Sequence, residues 1–256
     1  MLFDISTLID EFYLVPEEFI LVHVGASICQ EAEYYSKFNF KKIIWVEALP
    51  EVFEQARTRI KGYTNQVIIN ALLFSKKGVA FKLFRASNNG ESSSILKPDR
   101  HLDIHRTVEF VEDQRVIFSS TLDEILNAEE ALSKVLLVLD VQGAEISVID
   151  GGMTTALPRT EFIFTEVSTL QLYQDQALFY ILTRKLKKLG FYLAMHDINL
   201  HSPYGDALFV RNWNLKNKKV SWPSTPIFGL LSRIYHHKII TLIRRVIQKA
   251  QITLDK

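Results

Sequence analysis

The sequence has little cysteine, and it lacks the motifs of several common enzyme classes. Cys29 is the single cysteine in 256 residues, which excludes an intramolecular disulfide and a thiolate metal cluster. There is no G-x-x-x-x-G-K-[ST] phosphate loop, no triple-glycine pyrophosphate turn and no G-x-S-x-G nucleophile elbow. The sequence therefore disfavours phosphate-loop nucleotide hydrolases and serine hydrolases.

Signals for secretion are also lacking. The first residues follow an apolar rhythm typical of a helix, but Asp4, Asp10, Glu11, Glu17 and Glu18 stand where a secretory signal would be basic. With one cysteine and no basic leader, the expected location is cytoplasmic, with peripheral contact at the inner face of a membrane as a further expectation.

Charge is distributed unevenly along the chain. Residues 1–212 hold 21 Lys and Arg against 28 Asp and Glu, a net charge of −7, whereas residues 213–256 hold 9 against 1, a net charge of +8. The segment WPSTP at 222–226 reads as a linker. The sequence predicts a catalytic domain over 1–212 and a basic helical tail over 213–256.

Apolar runs alternate with helical patterns along the first domain. Continuous runs of this kind are typical of strands buried on both faces, as in a parallel sheet covered by helices, and they predict a doubly wound α/β fold. The runs are FILVHVG (19–25), KIIWVEA (42–48), NQVIINALL (65–73), VLLVLDV (135–141), EFIFTEV (161–167), FYLAMHDI (191–198) and ALFVRN (207–212). Between 74 and 133 the strands become shorter and more polar, which predicts an elaboration over the active face.

The first strand runs into a candidate cofactor turn. Gly25 permits close approach to a ligand, and Glu47 ends the second strand, where a carboxylate can accept both hydroxyls of a ribose. A tight turn and a solvated acid would explain these two residues equally well. Because no phosphate cradle is present, a nucleoside without phosphates is the better ligand, which favours S-adenosylmethionine over NAD.

Ordered motifs across residues 20–212 resemble the FkbM family of S-adenosylmethionine-dependent methyltransferases. They are H-V-G-A-S-I-C-Q (23–30), V-E-A-L-P (46–50), I-N-A-L (69–72), S-S-S-I-L (92–96), T-L-D (121–123), D-V-Q-G-A-E (140–145), V-I-D-G-G (148–152), F-T-E-V (164–167), L-Y (172–173), G-F (190–191) and G-D-A-L-F-V (205–210). The resemblance implies a Rossmann-like, mostly parallel seven-stranded sheet with helices on both faces. It also implies cofactor-binding residues His23, Gly25, Ala26, Ser27, Glu47, Ala48, Asn70, Ala71 and Asp140.

Three positions of the first turn depart from the family pattern. The resemblance implies an acid at position 23, Asn at 27 and Gly at 29, where this chain has His23, Ser27 and Cys29. A neutral histidine can donate or accept a hydrogen bond but does not attract a cationic ligand as a carboxylate does. Because Glu47, Asn70 and the 140–145 block are kept, we expect a modified but working site.

Asp140 and Glu166 end neighbouring core strands and are the candidate catalytic residues. Either could accept the proton of an acceptor hydroxyl, or together they could hold Mg²⁺ or another divalent cation. Glu145 is a candidate acid or a cap of its helix, and Asp206 a member of the cluster or a turn acid.

Histidine and serine clusters offer weaker signals. The pairs His101 with His105 and His196 with His201 could bind metal, but solvated loop histidines are the favoured interpretation. Residues 92–94, all serine, suit hydrogen bonding to a polyol, although a flexible polar loop explains them too.

The expected function is O-methylation of a hydroxyl on a sugar, polysaccharide precursor or secondary metabolite. The acceptor would be a small molecule or glycan, not a nucleic acid. Two alternatives remain open: a non-catalytic nucleoside- or partner-binding module with an altered turn, and an NAD-dependent oxidoreductase.

The tail contains one apolar stripe, which predicts an amphipathic helix. Apolar residues recur at three- to five-residue steps from Ile227 to Ala250, and no acid occurs between Trp213 and Leu254. Such a helix could dock on the acidic domain, mediate self-association or lie on an anionic membrane. Docking is the favoured interpretation of residues 227–250, and no recognition motif accompanies the charge to indicate nucleic acid.

Overall fold

A seven-stranded sheet forms the centre of the computed structural model, which describes residues 4–198 and 202–211. The strands, numbered along the chain, are β1 (Phe19–Val24), β2 (Lys42–Glu47), β3 (Gln66–Asn70), β4 (Leu72–Leu73), β5 (Ala80–Phe81), β6 (Phe84–Ala86), β7 (Phe110–Glu112), β8 (Ile117–Ser120), β9 (Lys134–Leu139), β10 (Thr160–Ser168), β11 (Phe191–His196) and β12 (Tyr204–Arg211). The main sheet has the order β11-β12-β10-β9-β1-β2-β3. Only β12 runs antiparallel to its neighbours, so the predicted mostly parallel sheet is confirmed.

Continuous apolar runs became strands because both faces of the sheet are covered. Along β1, Ile20, Val22 and Val24 join one buried cluster. Phe19 and Leu21, on the opposite face, join another. Successive side chains of a strand point to opposite faces, so a strand buried on both sides must be apolar throughout.

Helices cover the sheet on both sides. They are α1 (Ile5–Phe12), α2 (Ala32–Tyr35), α3 (Pro50–Arg59), α4 (His101–Ile104), α5 (Leu122–Asn127), α6 (Glu145–Asp150), α7 (Ala156–Arg159) and α8 (Phe179–Lys188), with a 3₁₀ turn at Pro16–Glu18. Pro50 opens α3 at a position where its missing N–H costs no helical hydrogen bond. The predicted α/β, Rossmann-like fold is thus observed.

One predicted strand proved to be two. The run 65–73 divides into β3 in the main sheet and β4, which pairs with β8 in a small three-stranded sheet with β5. The break falls at Ala71, whose N–H bonds the main-chain oxygen of Glu47. β6 and β7 form a separate antiparallel pair, and together these pieces make the elaboration expected between 74 and 133.

The register of the sheet brings four functional positions to one edge. Leu139 of β9 pairs with Val24 of β1 and with Thr165 of β10. The residues that follow, Gly25, Asp140 and Glu166, therefore lie side by side. Glu166 in turn faces Asp206 on β12. Carboxyl ends of strands beside the order reversal are where α/β sheets bind ligands.

Candidate active site

The turn after β1 is built by backbone conformations that disfavour ordinary side chains. Gly25, Ser27 and Cys29 all have positive φ, at 82°, 46° and 55°. A Cβ on Gly25 would lie 1.7 Å from the main-chain oxygen of Asp140, so only glycine fits between β1 and β9. Gly25 and Ala26 both donate their N–H to Val46 O, which ties the turn to β2.

Glu47 fastens the same turn through its side chain. One carboxylate oxygen accepts the N–H of Ser27 at 2.9 Å and the other accepts that of Leu49 at 2.8 Å. Asn70 lies beside it, and its side-chain amide donates to the main-chain oxygens of Glu47 and Ala48 at 2.8 and 3.2 Å. Each carboxylate oxygen keeps a further lone pair, so Glu47 can still accept hydroxyls of a ligand.

Gln142 joins the acids of β9 and β10. Its Nε2 donates to Asp140 Oδ1 at 2.6 Å and to Glu166 Oε2 at 3.1 Å. Its Oε1 lies 3.0 Å from the hydroxyl of Tyr173, which donates to it or to Ser92 O at 2.8 Å. The two predicted catalytic carboxylates therefore meet at one amide, and of the two Asp140 lines the adjoining cavity whereas Glu166 does not.

The sequence pattern of the methyltransferase FkbM domain matches residues 23–193, which include the turn, Glu47 and both acids. The chain belongs to the FkbM methyltransferase family. A curated relative, 2-O-methyltransferase NoeI from Sinorhizobium fredii (strain NBRC 101917 / NGR234), is 39% identical to this chain over 85 residues. That alignment covers 33% of this chain and 34% of the relative, so the chain matches about a third of that protein's length.

Solved structures of methyltransferases are similar in outline. A SAM-dependent methyltransferase from Aquifex aeolicus is 11% identical with a TM-score of 0.42, covering 82% of this chain and 90% of that chain. The ribosomal protein L11 methylase from Lactobacillus delbrueckii subsp. bulgaricus is 8% identical with a TM-score of 0.42, covering 75% and 69%.

The chemistry of the cleft fits S-adenosylmethionine, the cofactor that membership of the FkbM family implies. A glycine without room for a Cβ, a turn that presents its main chain and a carboxylate at the end of β2 are present at one place. The cavity there measures about 80 Å³ and is lined by Gly25, Ser27, Glu47, Ala48, Ala71 and Asp140, together with residues of the serine-rich loop. Pockets for small molecules commonly hold about 300 to 1,000 Å³, so the cavity is smaller than such pockets although its residues fit the cofactor chemically.

Three residues predicted to bind the cofactor do not line this cavity: His23, Ala26 and Asn70. His23 lies in the core beneath the turn, where its ring stacks on Trp45 with centroids 5.0 Å apart and its Nδ1 lies 3.3 Å from the Tyr35 hydroxyl. This differs from the expectation because a side chain at position 23 points to the face opposite Val22 and Val24. Burial lowers the pKa of His23 to about 3, so its imidazole is neutral.

Low dielectric surroundings raise the pKa of three acids at the strand ends, Glu47, Asp140 and Glu166. Desolvation raises the pKa of Glu47 to about 7, although its backbone hydrogen bonds oppose the shift. The pKa of Glu166 rises well above its ordinary value through burial and through Asp140. Asp140 is solvent-exposed as a residue, yet the protein around its carboxyl group displaces enough water to raise the pKa, and the hydrogen bond from Gln142 opposes that rise.

Glu145 closes the turn before α6, which has no side-chain cap hydrogen bond. It is the first residue of α6, is 5% exposed, and its carboxylate accepts the N–H of Gly143 at 3.0 Å. Burial raises the pKa of Glu145 to about 7. Its carboxylate thus closes the tight turn at Gly143, where φ is 100°.

The histidines differ from the expectation of solvated loop residues. His101 is 3% exposed, its ring lies tilted against that of His105 with centroids 4.7 Å apart, and it packs against Phe110 and Tyr173. It is buried because α4 folds onto the loop that carries Tyr173. His196 is half-buried in β11, and His201 lies outside the described residues. Among residues 4–198 and 202–211, no group of three or more His, Cys, Asp or Glu side chains could hold a metal ion.

Gln142 and Tyr173 are site residues that sequence reasoning did not single out. Both stand inside motifs that carried the family resemblance, D-V-Q-G-A-E and L-Y, which was the available signal. Asp206 joins the same edge as predicted, opposite Glu166.

The predicted tail helix lies outside the described residues, so residues 227–250 remain a sequence-based expectation. Within the part of the chain that the structure describes, no helix has the length and apolar character needed to cross a membrane.

Proposed function

We propose that this protein is an S-adenosylmethionine-dependent O-methyltransferase acting on a hydroxyl of a sugar, polysaccharide precursor or secondary metabolite. The observation that carries the proposal is membership of the FkbM methyltransferase family over a segment containing both the cofactor cleft and the two acids. The similarity to a 2-O-methyltransferase supports oxygen as the atom methylated.

The residues divide into a binding set and a reacting set. Glu47 would accept hydroxyls of the cofactor's ribose, while the turn from Gly25 to Ser27 presents backbone to it. When bound, S-adenosylmethionine supplies an electrophilic methyl group. Asp140 or Glu166 would accept the proton of the acceptor hydroxyl, because both carboxylates lie at the strand ends next to the cleft.

Calorimetry with two ligands tests the proposal. S-adenosylhomocysteine should bind in the micromolar range, and NAD should not bind. Binding of NAD alone would support the oxidoreductase, and binding of neither would support the non-catalytic module. The same calorimetry on Glu47→Ala measures what loss of the carboxylate at Glu47 does to binding. Glu54→Ala, on the exposed side of α3, is the matched control for that variant.

Transfer of radiolabelled methyl from S-adenosylmethionine to a panel of sugars and oligosaccharides then tests the acceptor class. Repeating the assay in excess EDTA, with Mg²⁺ or Mn²⁺ restored, tests the divalent cation at Asp140 and Glu166. Full activity in EDTA would leave these acids a base or structural role.

We propose that residues 227–250 mediate self-association, with anionic membrane contact as the competing outcome. The proposal rests on the opposite net charges, −7 over residues 1–212 and +8 over 213–256. Deleting residues 222–256 and measuring both liposome sedimentation and molecular mass separates these outcomes. Lost liposome binding with an unchanged mass would favour the membrane.

A further inference from the structure

A groove lies between the C-terminal ends of α6 and α8, away from the cofactor cleft. Its volume is about 530 Å³, and it is lined by Asp150, Met153, Ile181, Arg184, Lys185, Lys188 and Leu189. Leu189 fixes its place in the fold, because the Arg211 guanidinium donates both to Leu189 O and to the main-chain oxygen of Thr160, the first residue of β10. Glu166 lies further along the same strand, about 20 Å from Thr160. The groove is therefore at the edge of the sheet opposite the acids.

The helix α8 presents basic side chains to this groove. Arg184 and Lys188 lie one helical turn apart, and both are exposed. Lys185 forms an ion pair with Asp150, the acid among the residues of the groove wall. Within the described part of the chain, neither Arg184 nor Lys188 has an ion-pair partner. The groove therefore has two positive charges that are not neutralised, which fits an anionic ligand.

Apolar side chains stand exposed beside these bases. Met153 is 45% exposed and Ile181 is 41% exposed, and both line the groove. Apolar side chains flanked by Lys and Arg are typical of surfaces that enter the headgroup region of a membrane. There the bases meet lipid phosphates, and the apolar side chains reach the boundary of the acyl chains.

Helices on the two faces of the sheet carry charges of opposite sign. α8 packs on one face through Leu182 and Leu186, and it holds four bases and no acid. α1 covers the other face, and it holds Asp10 and Glu11 and no base. On an anionic surface this asymmetry turns α8 toward the surface and α1 away from it. Three of the four bases are lysine, which protein–protein interfaces contain less often than the rest of a protein surface, so a membrane fits better than a second protein.

We propose that the groove between α6 and α8 seats this protein on an anionic phospholipid membrane. Arg184 and Lys188 bind headgroup phosphates, while Met153 and Ile181 enter the boundary of the acyl chains. The contact is peripheral, and the cofactor cleft at the opposite edge of the sheet stays open to its ligands. It depends neither on the proposed catalytic function nor on residues 227–250.

Vesicle sedimentation of the full-length protein tests this proposal. The protein should pellet with vesicles of equal parts phosphatidylcholine and phosphatidylglycerol, and much less with vesicles of phosphatidylcholine alone. Each basic side chain at such a surface contributes about fivefold in affinity, so Arg184→Gln with Lys188→Gln should bind about 25-fold more weakly. Lys61→Gln with Lys82→Gln is the control, since it removes the same charge at exposed positions outside the groove, and it should weaken binding by less than about threefold.

Salt separates the two kinds of contact. Ile181→Ser should weaken binding about fivefold at low and at high salt alike, because its contribution is apolar. Arg184→Gln with Lys188→Gln should instead make binding less dependent on salt. Arg184→Lys with Lys188→Arg keeps both charges and should bind as the wild type does. Because these side chains are exposed, the melting temperature of each variant should stay close to that of the wild type.

Three outcomes would overturn the proposal. The first is a wild-type protein that does not bind the anionic vesicles. The second is unchanged vesicle binding in Arg184→Gln with Lys188→Gln, which would assign the membrane affinity to the basic tail that every variant retains. The third is a fall in the molecular mass of that variant without vesicles while its vesicle binding is unchanged, which would assign the groove to a second copy of the chain.

Discussion

The two halves of the cleft keep their family pattern to different degrees. The turn at 23–30 departs at three positions, whereas the 140–145 block matches the pattern throughout. In the turn, Gly25 and Ser27 present backbone to the cavity and His23 points into the core. In the block, Asp140 and Gln142 present side chains to the cleft.

This difference shows which changes each half can accept. A turn that presents its main chain to the cleft tolerates new side chains provided that its φ angles are kept, as Ser27 and Cys29 keep them. A block that works through carboxylate and amide groups has no such freedom, because each atom has its own partner. Substitutions in the two halves should therefore separate binding from turnover.

Gly25→Ala should have the largest effect, since it breaks the backbone on which the turn depends. The added Cβ would lie 1.7 Å from Asp140 O at φ of 82°, and neither strand can shift without losing ladder hydrogen bonds. We expect loss of measurable S-adenosylhomocysteine binding and destabilisation by more than about 3 kcal/mol in urea unfolding. Gly62→Ala, whose Cβ meets nothing within 4 Å, should change stability by less than about 0.5 kcal/mol. Retained binding would show that the turn is not the cofactor site.

Asp140→Asn should separate turnover from binding. Its amide oxygen can still accept from Gln142, but it cannot take a proton, so turnover should fall by about 10² to 10⁴ while S-adenosylhomocysteine affinity stays within about threefold. Because the pKa of this carboxyl is raised, wild-type turnover should decline as the pH falls from neutral toward 5. Asp103→Asn, at an exposed residue of α4, is the control. A loss of affinity instead of turnover would move Asp140 to the binding set.

Glu47→Ala tests the one side chain on which the binding half depends. Losing charge-assisted hydrogen bonds to a hydroxyl pair should weaken S-adenosylhomocysteine binding by about 2 to 3 kcal/mol. The N–H groups of Ser27 and Leu49 also lose their acceptor, so the melting temperature should fall. Calorimetry and thermal unfolding measure the two effects. Unchanged affinity with lowered stability would give Glu47 a structural role only.

Most of the fold could be predicted from the sequence because buried parallel strands need continuous apolar runs. Each of the seven runs contains a strand of the main sheet, and Pro50 and Gly190 bound helices as expected. The exception was the run 65–73, whose apolar pattern continues through a change of sheet at Ala71. An apolar sequence pattern indicates that a strand is buried, but it does not indicate to which sheet the strand belongs.

The positions of the acids of the site could be predicted from the sequence, but the hydrogen bonds that join them to Gln142 and Tyr173 could not. Strand ends and spacing placed Glu47, Asp140 and Glu166 at one edge. The register of β1 directs the side chain of His23 into the core. The family resemblance instead implied that His23 binds the cofactor. Gln142 and Tyr173 meet through contacts 31 residues apart, which no local pattern encodes.

His23 should make stability depend on pH in a way that its replacement removes. Its pKa of about 3 in the folded protein lies below the ordinary 6.5, so the folded state binds fewer protons and loses stability as the pH falls below 6.5. At pH 5 this loss amounts to about 2 kcal/mol relative to pH 7.5. His23→Phe keeps the ring stacked on Trp45. Between pH 7.5 and pH 5 its free energy of unfolding should fall by about 2 kcal/mol less than that of the wild type. The free energy of unfolding is measured by urea unfolding at both pH values. If the wild type and His23→Phe lose the same amount between them, His23 is accessible to protons in the folded protein.

Restoring the family residues at 27 and 29 should have the smallest effect. Left-handed backbone disfavours Ser and Cys, and Asn and Gly tolerate it, so Ser27→Asn should stabilise by about 0.5 kcal/mol. Cys29→Gly relieves similar strain but removes a fully buried thiol, so its net change should stay within about 1 kcal/mol. Ser36→Asn, at φ of −65°, is the control for Ser27→Asn and should change stability little. S-adenosylhomocysteine affinity should move less than threefold in either variant, because the turn binds through its backbone. A tenfold gain would mean that side chains of the turn contact the cofactor, and the contrast between the two halves would fail.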